Sequence, residues 1–159
     1  GLRFFTVYGP WGRPDMALFL FTKAILDGEP IQVFNDGKMI RDFTYIDDIV
    51  SGIKGAILNP SKSNKSDILE LKSSSSSAPY RIFNLGNNQP VTLENFINAI
   101  EASTGKKAIK EYLPMQPGDV QKTFANINKA RESLGFLPST SIEEGVKKFV
   151  DWYIKYYER

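Results

Sequence analysis

LRFFTVYGPWGRPDMA, residues 2–17, sets the terms on which the rest of the chain is read. Leu2 to Tyr8 is apolar, aromatic and β-branched, the composition of a buried strand. Gly9-Pro10 breaks it. Pro14 and Asp15 open a helix predicted to run to about Asp27, with Met16, Phe19, Leu20, Lys23 and Ala24 supplying its spacing and Gly28 closing it. A buried strand as the first element, with no strand before it to pair with and no initiator Met, carries the expectation that upstream sequence has been removed.

Outward from that stretch the pattern alternates. Residues 31–34 (IQVF) form a short strand, Asn35-Asp36-Gly37 is a turn with Gly37 available for positive φ, and Met39 to Ile46 is a second strand, so 31–46 reads as a hairpin. Asp47 or Asp48 caps a helix with Ile49, Ile53 and Ile57 on one face. Residues 59–79, with SSSSS at 73–77, read as a flexible polar surface loop. Tyr80 to Leu85 (YRIFNL) is a strand ending at Gly86. Thr92 N-caps a helix that turns Leu93, Phe96, Ile97 and Ile100 inward and ends at Gly105. A strand from Ala108 to Leu113 and a loop at 114–120 follow. Asn126 caps a short helix ending at Gly135. Ser141 and Glu144 form an S-x-x-E box for a last helix that buries Ile142, Val146, Phe149, Val150 and Tyr153. The mixed order makes the class α/β or α+β, in a single region spanning 1–159.

Composition removes several chemistries. The 159 residues contain no Cys and no His, which excludes disulfides, thiol catalysis, a Ser-His triad and a His-ligated zinc. A net charge of +2 spread among acidic residues lacks the basic stripe of a nucleic-acid binder. No apolar run approaches the ~18 residues of a membrane span.

Four segments in order, RFFTVYGPWGRPDMA (3–17), VFNDGKMIRDFTYIDDIVSGI (33–53), YRIFNLGNNQPVTLENFI (80–97) and QPGDVQKTFANINKARESLGFLPSTSIEEGVKKFVDWY (116–153), resemble the C-terminal half of the extended short-chain dehydrogenase/reductases, and among these the UDP-glucuronate 4-epimerases. The resemblance implies an α/β fold: the last strands of a Rossmann sheet, at 2–8 and 80–85, plus the small α/β substrate-binding lobe. It places the Gly-rich cofactor turn and the Tyr-x-x-x-Lys pair upstream of Gly1, so NAD would be bound by the missing N-terminal half. Tyr153-Ile154-Lys155 has the wrong spacing for that pair.

The resemblance also implies roles. Arg41 would meet the substrate diphosphate, the alternative being an ion pair with Asp42 or Asp47. Gln116, where many relatives carry Arg, would assist it. Asp119 would accept from the ribose hydroxyls, the alternative being a turn-stabilising Asp after Gly118. Phe34 and Val33 lie on the strand expected to face the uracil, with Phe34 able to stack and the backbone able to read the base edge. Thr6 and Arg13 would approach the C5 carboxylate of an acid sugar; the plain alternatives are a strand residue and a loop charge near Asp15. Ala125-Asn126 stands where relatives commonly have Ala-Asp.

The activity implied is cytoplasmic, NAD-dependent interconversion of UDP-glucuronate and UDP-galacturonate through a 4-keto sugar, serving polysaccharide biosynthesis. Its partner is the UDP-sugar, with neither nucleic acid nor membrane. A related dehydratase or decarboxylase could share most of these motifs, and the alternative from a different class is a non-catalytic binding module. The fragment alone is expected to be inactive. Its exposed 2–8 strand, with an open apolar face around Phe4, Val7, Ile49 and Ile53, is expected to favour self-association.

Overall fold

The computed structural model describes residues 1–63 and 76–158, so most of the predicted 59–79 loop lies outside the described residues. Among the described residues, eight strands and five α-helices are interspersed. The predicted 2–8 strand is two short strands, β1 (Leu2–Phe4) and β2 (Thr6–Tyr8), separated at Phe5. β1 runs parallel to β6 (Phe83–Leu85), which is shorter than the predicted 80–85. β2 runs parallel to β5 (Phe43–Tyr45). One stretch of chain therefore joins two small sheets.

The hairpin expected over 31–46 does not form. β3 (Pro30–Phe34) pairs parallel with β8 (Ile109–Leu113), Val33 opposite Tyr112. β4 (Ile40–Arg41) pairs antiparallel with β7 (Val91–Thr92). Asn35, Asp36 and Gly37 all have left-handed φ, 52°, 49° and 74°. That tight left-handed turn sends the chain away from β3 instead of back along it. Gly37 does take the positive φ expected of it.

Two cores result. In the first, α1 (Ala17–Asp27), α3 (Leu93–Thr104) and α5 (Ile142–Tyr156) pack on β3 and β5 through Leu18, Ile25, Val33, Phe43, Phe96, Ile100, Phe149 and Tyr153. In the second, α2 (Ile46–Leu58) and α4 (Asn128–Leu134) close on β6 through Ile49, Phe83, Leu85, Ile127 and Phe136. Helix ends follow their caps. Thr92 Oγ1 accepts from the Asn95 amide at 3.2 Å and Ser141 Oγ from the Glu144 amide at 3.2 Å. Gly28, Gly105 and Gly135 end their helices in the left-handed conformation.

Several local expectations need correction. α1 begins at Ala17, and its buried stripe is Leu18, Thr22 and Ile25. Tyr45, not Asp47 or Asp48, precedes the first turn of α2. Ile57 is 73% exposed because it lies about 80° around the helix from Ile49, off the inner stripe of Ile49, Gly52 and Ile53. Glu144 does not reach back to complete a capping box and pairs with Lys148 at 2.8 Å. Asn126 accepts from the Asn128 amide at 3.0 Å, within the turn that leads into α4. Of the apolar face expected to be open, Phe4 is 51% exposed, but Ile49 is buried under α4 and β6.

Candidate functional site

The site is built around Asp42, the residue between β4 and β5. Its carboxylate is fully buried. It accepts from the backbone amides of Asn87 (2.9 Å), Asn88 (3.2 Å) and Ala125 (2.9 Å). Three orphan donors from two loops are thereby satisfied by one charge, and both loops are fixed to the β4–β5 junction. Gly86 is obligatory for this approach, since a Cβ there would overlap Ala125 and stand 3.0 Å from Asp42 Oδ2. The segment after residue 120 is also tied to β4. Ile40 donates to the Gln121 carbonyl at 2.9 Å, and Thr123 donates to the Ile40 carbonyl at 3.1 Å.

That scaffold brings Arg41 and Asp119 together from 78 residues apart. Arg41 Nη2 lies 2.7 Å from Asp119 Oδ1, and Nη1 donates to the Gln121 carbonyl at 3.3 Å. The ion-pair partner of Arg41 is thus Asp119, neither Asp42 nor Asp47. Asp119 also accepts from the Val120 amide at 2.8 Å, the turn role foreseen for it. Gln116 is exposed at the start of the same turn, where its carbonyl accepts from the Asp119 amide at 3.2 Å across Pro117 and a left-handed Gly118. A guanidinium fork and a carboxylate side by side on a half-open surface suit a ligand carrying both phosphate and vicinal hydroxyls.

Thr6 and Arg13 line a second concavity, a shallow cleft of about 40 Å³ walled also by Tyr8, Gly9, Gly12, Met16, Phe19, Phe43 and Phe149. Its walls are largely aromatic and its polar groups are few. The Arg13 side chain is 73% exposed and meets Asp15 twice, Nε–Oδ1 at 3.0 Å and Nη2–Oδ2 at 2.6 Å. The hydrogen bond with Asp15 raises the Arg13 pKa and lowers that of Asp15. Being in water, the pair is readily exchanged for another carboxylate. On β3, Val33 is fully buried in the first core, so only its backbone is available to a ligand. Phe34, one residue on, is half-buried at the strand end.

Neither Tyr8 nor Tyr45 is poised as a base. Burial first, and then the Asp48 carboxylate, push the Tyr8 phenol far above its ordinary value. Burial raises Tyr45 as well. Tyr153 is packed in the first core. Asp48 is occupied structurally, accepting from the Ser139 and Thr140 amides at 3.3 and 3.1 Å. Sequence reasoning named Asp42 only as a possible ion-pair partner of Arg41 and missed its structural role. Its local signal was a carboxylate next to Arg41 just ahead of the buried run FTY.

Residues 1–71 match the NAD dependent epimerase/dehydratase family. Protein CapI of Staphylococcus aureus is 53% identical over 160 residues, covering 100% of this chain and 48% of its own length. A probable UDP-glucuronate 4-epimerase of Rhizobium meliloti is 49% identical, covering 99% and 47%. The crystal structure of a UDP-glucuronic acid 4-epimerase from Bacillus cereus, in complex with UDP-glucuronic acid and NAD, superposes with a TM-score of 0.81 at 33% identity. It covers 98% of this chain and 45% of that one. The fold is mixed α/β and matches part of that epimerase's fold. The matches support the NAD-dependent epimerase family, and the chain spans about half the length of the curated relatives it matches. Among the described residues no helix is long and apolar enough to cross a membrane.

Proposed function

We propose that this chain is the UDP-sugar-holding, C-terminal part of an NAD-dependent epimerase that interconverts UDP-glucuronate and UDP-galacturonate. The observation that carries the reading is the placement of Arg13 with Thr6 on one aromatic cleft, while Arg41 and Asp119 converge separately. The first pair suits the sugar carboxylate, and the second suits the diphosphate and ribose, with Gln116 beside the phosphates. The backbone of Val33 and the ring of Phe34 serve the uracil.

NAD, when bound in the whole enzyme, supplies reversible hydride acceptance at the sugar C4. The turn after β6 does not fit its pyrophosphate: Gly86 leads into a loop and β7, where a dinucleotide turn would open a helix. This chain's part is therefore positioning. Remote contacts hold the nucleotide end while the oxidised sugar turns, and binding energy spent there retains the intermediate. The exposed Phe4 of β1 marks the surface through which the isolated chain would associate with another copy. A decarboxylase would also keep Arg13, so the test is the product. The full-length protein carrying this sequence, given UDP-glucuronate and NAD, should yield UDP-galacturonate by chromatography with no release of CO₂. Release of CO₂ or loss of water would assign it to the decarboxylases or dehydratases.

A further inference from the structure

Trp11 occupies a backbone position that tryptophan rarely takes. The Gly12 amide donates to the Gly9 carbonyl at 3.1 Å, closing a turn with Pro10 and Trp11 at its centre. Trp11 has φ +63° there. Left-handed geometry at the second central position, after a proline, is that of a type II turn, which glycine or asparagine normally fills. A bulky residue at positive φ is strained, and such strain persists only where surrounding structure over-determines it.

The indole supplies that constraint. Its centroid lies 5.2 Å from that of Trp152 and 4.9 Å from that of Tyr156, nearly perpendicular to the latter. Trp152 and Tyr156 stack on each other at 5.4 Å. Both belong to α5, more than a hundred residues away along the chain. Trp11 is 72% exposed and does not line the sugar cleft, but Gly9 and Gly12 of the same turn do, as does Arg13 directly after it. A further turn follows at once, the Met16 amide donating to the Arg13 carbonyl at 3.2 Å. Arg13 thus stands between the strained turn and the start of α1, with its own side chain in solvent.

We propose that Trp11 is a positioning residue for Arg13: docking of its indole on the Trp152–Tyr156 stack holds the 9–12 turn in the form that presents Arg13 to the sugar cleft. Selectivity for the acid sugar is then set partly from α5. The proposal rests on the reading of Arg13 as the carboxylate ligand.

The test uses the full-length protein with Trp11→Ala and Trp11→Phe, alongside Arg13→Ala. Trp11→Ala should raise KM for UDP-glucuronate about tenfold, the scale of a misplaced charged hydrogen bond, while UDP affinity stays within about twofold. Trp11→Phe keeps a ring to dock and should recover most of the loss. Hydrogen exchange at the Gly12 and Met16 amides should quicken in Trp11→Ala and not in Trp11→Phe. Unchanged exchange in Trp11→Ala, or equal loss of UDP-glucuronate and UDP binding, would overturn the positioning role alone. An unchanged KM in Arg13→Ala would take down the carboxylate reading and this proposal with it.

Discussion

Removing the Arg41 guanidinium is the perturbation whose size the structure best defines. A hydrogen bond to a charged group contributes about 1.5–3 kcal/mol. At about 1.4 kcal/mol per tenfold, Arg41→Ala would weaken UDP binding by about 10- to 150-fold. Two features place the expected loss toward the low end. The Arg41 side chain is 22% exposed, so solvent screens part of its field. It also already donates to Asp119 and to the Gln121 carbonyl, so phosphate replaces existing partners. Discounting about 1 kcal/mol for the pair leaves about 0.5–2 kcal/mol, or a loss of about 2- to 30-fold. Arg41→Lys keeps the charge without the fork and should fall between. Titration calorimetry of the full-length protein with UDP measures this, with thermal unfolding as the control for folding. A folded Arg41→Ala variant that binds UDP as tightly as the parent would remove Arg41 from the site and refute the reasoning.

Four further outcomes are expected. Arg13→Ala should lower kcat/KM for UDP-glucuronate far more than it weakens UDP, measured by coupled turnover and calorimetry, because its cleft is separate from the Arg41–Asp119 pair. Asp42→Ala should destabilise the fold by at least about 3 kcal/mol in urea unfolding, since three amides lose their acceptor at about 1–3 kcal/mol each; a loss under about 1 kcal/mol would mean that the carboxylate is not the hub. Glu94, held below the usual carboxylate range by its hydrogen bond from Lys110, adds stability that is present above pH about 4.3 and fades as pH falls through its folded pKa; Glu94→Gln should therefore flatten the acid side of the stability profile. Residues 1–159 alone should show no NAD binding by fluorescence and no interconversion of the two acid sugars.

Much of the helical content was legible in the sequence because its signals are local. Thr92, Ser141, Gly105 and Gly135 act on amides and carbonyls within a turn of themselves, and the stripe of Val146, Phe149, Val150 and Tyr153 repeats at helical spacing. Strand pairing was not legible. β3 finds β8 nearly eighty residues on, and β4 finds β7, so a local turn signal at Asn35-Asp36-Gly37 was read as a hairpin that the left-handed backbone does not make. Arg41, Asp119, Thr6 and Arg13 were nominated by motif, but the loop that brings Asp119 to Arg41 is followed by a segment anchored on the buried carboxylate of Asp42. From sequence that residue looked like no more than a possible partner for Arg41.

The account stands or falls on where the substrate lies. A crystal structure of the full-length protein with UDP-glucuronate measures this directly. It should show Arg41 on the diphosphate, Asp119 on the ribose hydroxyls, and Thr6 with Arg13 on the sugar carboxylate, with the Arg13–Asp15 pair opened. A carboxylate bound away from Thr6 and Arg13, or a diphosphate out of reach of Arg41, would contradict it.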